Sequence, residues 1–70
     1  MNLIEAIQER CNYLREKVIP EYDAIGSTGA IGASLLRHQI VEAERTIASG
    51  DTVSMIATLT ALSETCESAL

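Results

Sequence analysis

The stretch Gly26-Ser27-Thr28-Gly29-Ala30-Ile31-Gly32 holds three of the chain's four glycines and separates two long segments patterned as helices. Glycine costs about 1 kcal/mol against alanine inside a helix and readily ends one, so the chain must turn here or bring two helices unusually close. Gly26 is expected to cap the first helix in the left-handed conformation, with Ser27 and Thr28 as N-caps of the next. Gly29, Ala30, Gly32, Ala33 and Ser34 then form a run of small residues. Such a run lets the start of the second helix lie against the end of the first, and a large residue at Gly32 should harm folding before any chemistry.

Upstream, Asn2 with Glu5 three residues on reads as a capping box, which starts helix 1 at Leu3. Ile4, Ile7, Cys11, Leu14 and Val18 follow at spacings of three and four, one stripe along a helix, with polar side chains on the other faces. Pro20 interrupts this pattern. It lacks the amide that would reach the Glu16 carbonyl, and it pushes Ile19 toward an extended conformation. Yet Tyr22 and Ile25 continue the stripe in phase. A helix over residues 3–25 kinked at Pro20 explains that best; Pro20 opening a new short helix is the alternative.

Helix 2 is expected over residues 29–49, burying Ile31 or Gly32, Leu35, Leu36, Ile40, Ala43 and Ile47. Ser49-Gly50-Asp51 is a compact stop and restart, with Gly50 capping helix 2 and Asp51 capping helix 3 where its charge suits the helix dipole. Helix 3 is expected over residues 52–67, with Val53, Met55, Ile56, Leu59, Leu62 and Cys66 at helical spacing and residues 68–70 frayed. So short a turn implies an antiparallel pair. The chain is thus one all-α domain over residues 1–70, a three-helix up-down-up bundle whose first helix is kinked or broken near Pro20. Its hinge residues are Pro20, Gly26, Gly29, Gly32 and Gly50.

Seventy residues make a marginal core, because a domain this small buries only about 60% of the surface its unfolded chain exposes. Help from a second chain is expected, since 47% of residues are hydrophobic, Phe and Trp are absent, and no structural metal or cofactor motif is present. Ten acids against five scattered bases, a net charge of -5, argue against a nucleic-acid partner. No segment approaches the ~18 apolar residues of a membrane span, and no cationic leader precedes an apolar core, so a cytoplasmic location is expected.

Candidate sites are few. Gly-Ser-Thr-Gly at a helix N-terminus offers amides and hydroxyls to an anion, but it lacks the Lys-Ser/Thr ending of a Walker loop and the strand and downstream acid of a dinucleotide fingerprint. It also matches the four-residue loop of KH domains, without their basic flank or strands. His38 has no catalytic companion and is placed on the helix surface facing Glu42; Glu42 and Glu44 point to different faces. With level helices Cys11 and Cys66 would be offset by ~9 Å, beyond the ~7 Å reach of a disulfide, so both are read as buried reduced thiols. Tyr22 is read as core with a wet hydroxyl, and Tyr13, off the stripe, as an interface anchor.

The segments Cys11-Asn12-Tyr13-Leu14-Arg15, Ile19-Pro20-Glu21-Tyr22-Asp23-Ala24-Ile25-Gly26 and Ile47-Ala48-Ser49-Gly50-Asp51 resemble small helical proteins encoded in phage and prophage genomes. The resemblance spans most of the chain and implies no activity, cofactor or site residue. Ala43 through Leu62 is similar to one helix pair of a tetratricopeptide-type repeat, which implies only the antiparallel hairpin.

The expected function is a non-enzymatic helical protein–protein interaction module that self-associates, most simply as a homodimer. Leu35 with Leu36, Ile40 with Val41, and Met55 with Ile56 put apolar residues on more than one helix face, and Tyr13, Leu35, Val41 and Ile56 are the candidate interface. An acidic inhibitor or adaptor of a partner protein, and an anion or small-ligand site at residues 26–32, are the alternatives.

Overall fold

The computed structural model describes residues 2–68; among them every regular element is a helix. The first rod comprises α1 (Leu3–Tyr13), a π-helical turn (Leu14–Val18) and α2 (Ile19–Ile25), and is followed by α3 (Ser27–Ser49) and α4 (Thr52–Ser68). Three rods joined by two tight turns make a small all-α bundle of 37 × 19 × 16 Å. Its long axis matches the ~35 Å spanned by a helix the length of α3.

The first rod starts at Leu3 as expected, capped by Asn2, with Glu5 reaching back to the Asn2 side chain and not to its backbone N–H as a full capping box would. The Asn2 side chain accepts from the Glu5 backbone N–H at 2.8 Å, while the Glu5 carboxylate accepts from the Asn2 side-chain amide at 3.3 Å. Five turns on, Pro20 breaks neither the rod nor its own neighbour. Ile19, expected to be extended, is helical at φ -57°, ψ -44°, and its N–H reaches five residues back to the Leu14 carbonyl. The wide turn before the proline absorbs the missing amide on a side where Arg15 and Glu16 face water. The extra residue in the wide turn also sets the helical phase back by about one residue. Val18 and Ile19 are both buried, whereas Ile25, expected on the stripe, is exposed.

Gly26 alone separates α2 from α3. Its φ of 88° and ψ of -143° lie outside the left-handed cap expected there, in a region open to glycine only. Helix α3 begins at once, so Ser27 and Thr28 are its first residues and not caps; its N-cap is Gly26, without a side-chain hydrogen bond. Gly50 takes the left-handed cap at φ 73°, ψ 7°. Asp51 then accepts from the Val53 N–H at 3.2 Å and from the Ser54 hydroxyl at 2.6 Å, which starts α4. The helix continues through Ser68; residues 69 and 70, expected to fray with it, lie outside the described residues.

Helices α3 and α4 run antiparallel. Thr58 meets Thr46 and, farther along α4, Thr65 meets Gln39 nearer the start of α3, at 3.4 and 3.1 Å. The core is a single cluster. Ile7, Cys11, Leu14, Val18 and Ile19 of the first rod close on Ala33, Leu36, Ile40 and Ala43 of α3 and on Met55 and Leu62 of α4. Ile7, Leu14 and Leu62 are fully buried, each stabilising the fold by about 1.5–3 kcal/mol through transfer from water. No polar side chain is stranded among the described residues.

Candidate functional site

The residues singled out by sequence lie mainly at the α2–α3 corner and on the outer faces of α3 and α4, with Cys11, Tyr13 and Cys66 between α1 and α4 and Gly50 in the α3–α4 turn. At the corner the glycines do different work. Gly26 supplies the turn, and nothing would touch a side chain placed there. Gly29 is buried on Tyr22: the Tyr22 carbonyl oxygen occupies the space of an ideal Cβ, the carbonyl carbon lies 2.9 Å from it, and the Ile25 Cβ lies 3.2 Å from it. Gly32 receives the edge of the same residue's ring, with Tyr22 Cδ2 and Cε2 where a Cβ would project. Tyr22 is thus clasped by two glycines one turn apart, half-buried and packed on the core. Because α3 starts at Ser27, the expected loop over residues 26–32 is a helix with one non-helical residue before it. The Gly29 amide is bonded to the Gly26 carbonyl at 3.0 Å.

Outside this clasp, Arg37 of α3 donates to Asp23 of α2 at 2.6 Å across the same helix pair. Both side chains are about half exposed, so the pair contributes at most about 1 kcal/mol. No helical spacing connects residues 23 and 37, so sequence reasoning had no signal for it. His38 stands in solvent with its Nε2 4.0 Å from the Glu42 carboxylate, which Arg45 also meets at 3.3 Å. These form a charge ladder along the outside of α3.

The two cysteines are free thiols, Cys11 buried and Cys66 half-buried. The level-helix offset does not hold. Cys66 lies with its sulfur 3.9 Å from the Arg10 carbonyl, and Arg10 Nε lies 3.4 Å from the Ser63 hydroxyl, so the last turns of α4 run beside the middle of α1. Helix stagger, set by packing, brought the two thiols to neighbouring levels. Burial pushes both thiols above their ordinary pKa, with nearby Arg15 and Arg10 respectively pulling the other way. Tyr13 is half-buried against the core, on a shallow groove between α1 and α4 shared with Arg10, Ser63 and Cys66.

The outer faces are more apolar than expected. Of Ile31 and Gly32, offered as alternatives for the buried side of α3, Gly32 is half-buried and Ile31 is 73% exposed; Leu35, placed on the buried side and also among the candidate interface residues, is 65% exposed, and on α4 Val53 and the interface candidate Ile56 are 76% and 52% exposed. Val41 is exposed as well. Leu36, Ile40 and Ala43 are buried as expected, and with them the small residues Gly29 and Ala33, which let α3 pack closely on the first rod. A signal for α4 was available: no charged residue occurs from Thr52 through Ser63, which leaves none of its faces marked for water.

No group of three or more metal-ligating side chains occurs among the described residues. No helix among them is long and apolar enough to cross a membrane. In comparisons with protein-family models, curated proteins and solved structures, nothing matches this chain.

Proposed function

We propose that this chain is a non-enzymatic helical interaction module that self-associates, working in the cytoplasm where its thiols stay reduced. The observation that carries this reading is the exposure of Ile31, Leu35, Val53 and Ile56, each more than half open to solvent in a chain of seventy residues. Large aliphatic side chains held in water on regular helices gain about 25 cal/mol for every Å² of apolar surface a partner covers. The two helices that carry them are rigid, being capped at their shared turn and anchored in one core, so little order is lost on association.

Sedimentation equilibrium over a concentration series up to millimolar protein tests it. The mass should rise from 7.5 kDa toward twice that value. The association should persist as salt is raised, since it is apolar; a complex held by the exposed acids would weaken steeply. A monomer at every concentration would overturn the proposal.

A further inference from the structure

We propose that Cys11 and Cys66 are a redox-controlled staple: a low-molecular-weight disulfide oxidises the pair to a disulfide of their own, which fastens the end of α4 to the middle of α1. They are the two cysteines of the chain, and both are free thiols. Far apart in sequence, they are brought together by the stagger of α1 and α4.

The Cys66 sulfur lies 3.9 Å from the Arg10 carbonyl oxygen. That oxygen belongs to the peptide unit ending at the Cys11 Cα, and a planar trans peptide holds the two ~2.8 Å apart. The Cys66 sulfur is therefore within ~7 Å of the Cys11 Cα, the sum of the two distances. Turned that way, the Cys11 sulfur reaches ~3 Å along the gap, and a change of rotamer moves the Cys66 sulfur by up to ~3 Å, enough to meet the ~2 Å of a sulfur–sulfur bond. The helices are already in place for this. Arg10 Nε meets the Ser63 hydroxyl at 3.4 Å one turn before Cys66, and Cys66 packs against the buried cluster to which Cys11 belongs. A charge on Cys66 also raises the Cys11 thiol, as two sulfurs in one environment require.

Cys66 is half-buried on the groove between α1 and α4 and meets the reagent first. Its thiolate attacks one reagent sulfur, forming a mixed disulfide and releasing one thiolate. The Cys11 thiolate, its proton lost to solvent, then attacks the Cys66 sulfur and releases the second. One reagent disulfide is thus reduced to two thiols as the protein disulfide forms. Arg10, Glu9 and Glu67 face Cys66, while Arg15 and Glu44 face Cys11. Burial outweighs the arginines and holds both thiols above their ordinary pKa, so closure is slow at neutral pH.

The link closes most of the chain into one loop and so removes entropy from the unfolded state. For a core this small the melting temperature should rise by roughly 10–20 °C. In reducing surroundings the staple is open.

The test incubates the full native chain with oxidised glutathione, quenches with acid, alkylates with N-ethylmaleimide in denaturant and digests with trypsin. The expected product is a monomer two hydrogens lighter, without maleimide, in which residues 11–15 are linked to residues 46–70. Dithiothreitol should restore both thiols and the lower melting temperature, and Cys11→Ala and Cys66→Ser chains should show neither link nor shift. Maleimide on both cysteines, glutathione retained on Cys66, or a covalent dimer through Cys66 would overturn the pairing. So would a link made only in urea. A link that leaves the melting temperature unchanged or lower would overturn the staple.

Discussion

Gly29→Ala and Gly32→Ala differ from the parent by one methyl each, yet the structure assigns them unequal costs. Alanine in a helix is intrinsically favoured over glycine by about 0.8–1.0 kcal/mol, so on propensity alone both changes stabilise. At Gly29 the new Cβ enters the Tyr22 carbonyl oxygen, with the carbonyl carbon 2.9 Å away. That obstacle is backbone and yields only if α2 and α3 separate, which opens the packing of Ile19, Ala33 and Leu36. Overpacking of this kind costs typically 1–3 kcal/mol and here sits at the upper end, leaving a net loss of about 1–2 kcal/mol after the propensity gain. At Gly32 the obstacle is the half-buried Tyr22 ring, which can swing toward solvent. The net change should fall within about 1 kcal/mol of zero. Urea unfolding followed by circular dichroism separates the two, and thermal melts should show Gly29→Ala lower by roughly 4–8 °C for each kcal/mol lost. Tyr22→Ala should relieve whatever cost Gly32→Ala carries and leave that of Gly29→Ala in place, because truncation removes the ring and not the carbonyl. A Gly29→Ala variant as stable as the parent, or a Gly29→Ala cost cancelled by Tyr22→Ala, would refute the clasp.

Other expectations follow from the core and the caps. Leu62→Ala removes a fully buried side chain shared by all three rods and should lower stability by about 2–5 kcal/mol in urea unfolding, enough to unfold so small a chain in part. The Ser54 hydroxyl and the Val53 and Ser54 amides hold the Asp51 carboxyl below the usual carboxylate range. Its share of stability is therefore present above the ordinary value of about 3.9 and lost as pH falls through the lower folded value. Asp51→Asn should flatten that acid limb while keeping the cap. With their pKa values raised by burial, Cys11 and Cys66 should react slowly with a disulfide reagent at neutral pH and rapidly once denatured, both titrating without reductant. Above about pH 8.5 the unfolded thiols ionise first, so stability should decline there.

Local chemistry determined much of this protein without reference to the rest of the chain. The capping box of Asn2 and Glu5, the turn at Gly50 and Asp51, and the helical period of Ile7, Cys11, Leu14 and Val18 act over three or four residues, and such signals are written in the order of the residues themselves. They suffice for the all-α class and the helical hairpin order. What they could not convey is how the helices meet. Pro20 is resolved by a π turn four residues upstream, because keeping the rod whole lets Val18 and Ile19 both enter the core. Stagger set Cys66 beside Arg10, although counting residues from level helix ends put the thiols apart. The small residues at the start of α3 announced a close approach to the first rod, and Leu36 and Ile40 turn inward as their spacing implies, but only the packing decided that Ile31 and Leu35 face water. The α4 face is the mixed case: its lack of charge was legible in the chain, but only the packed bundle decided that Val53 and Ile56 stand outside it.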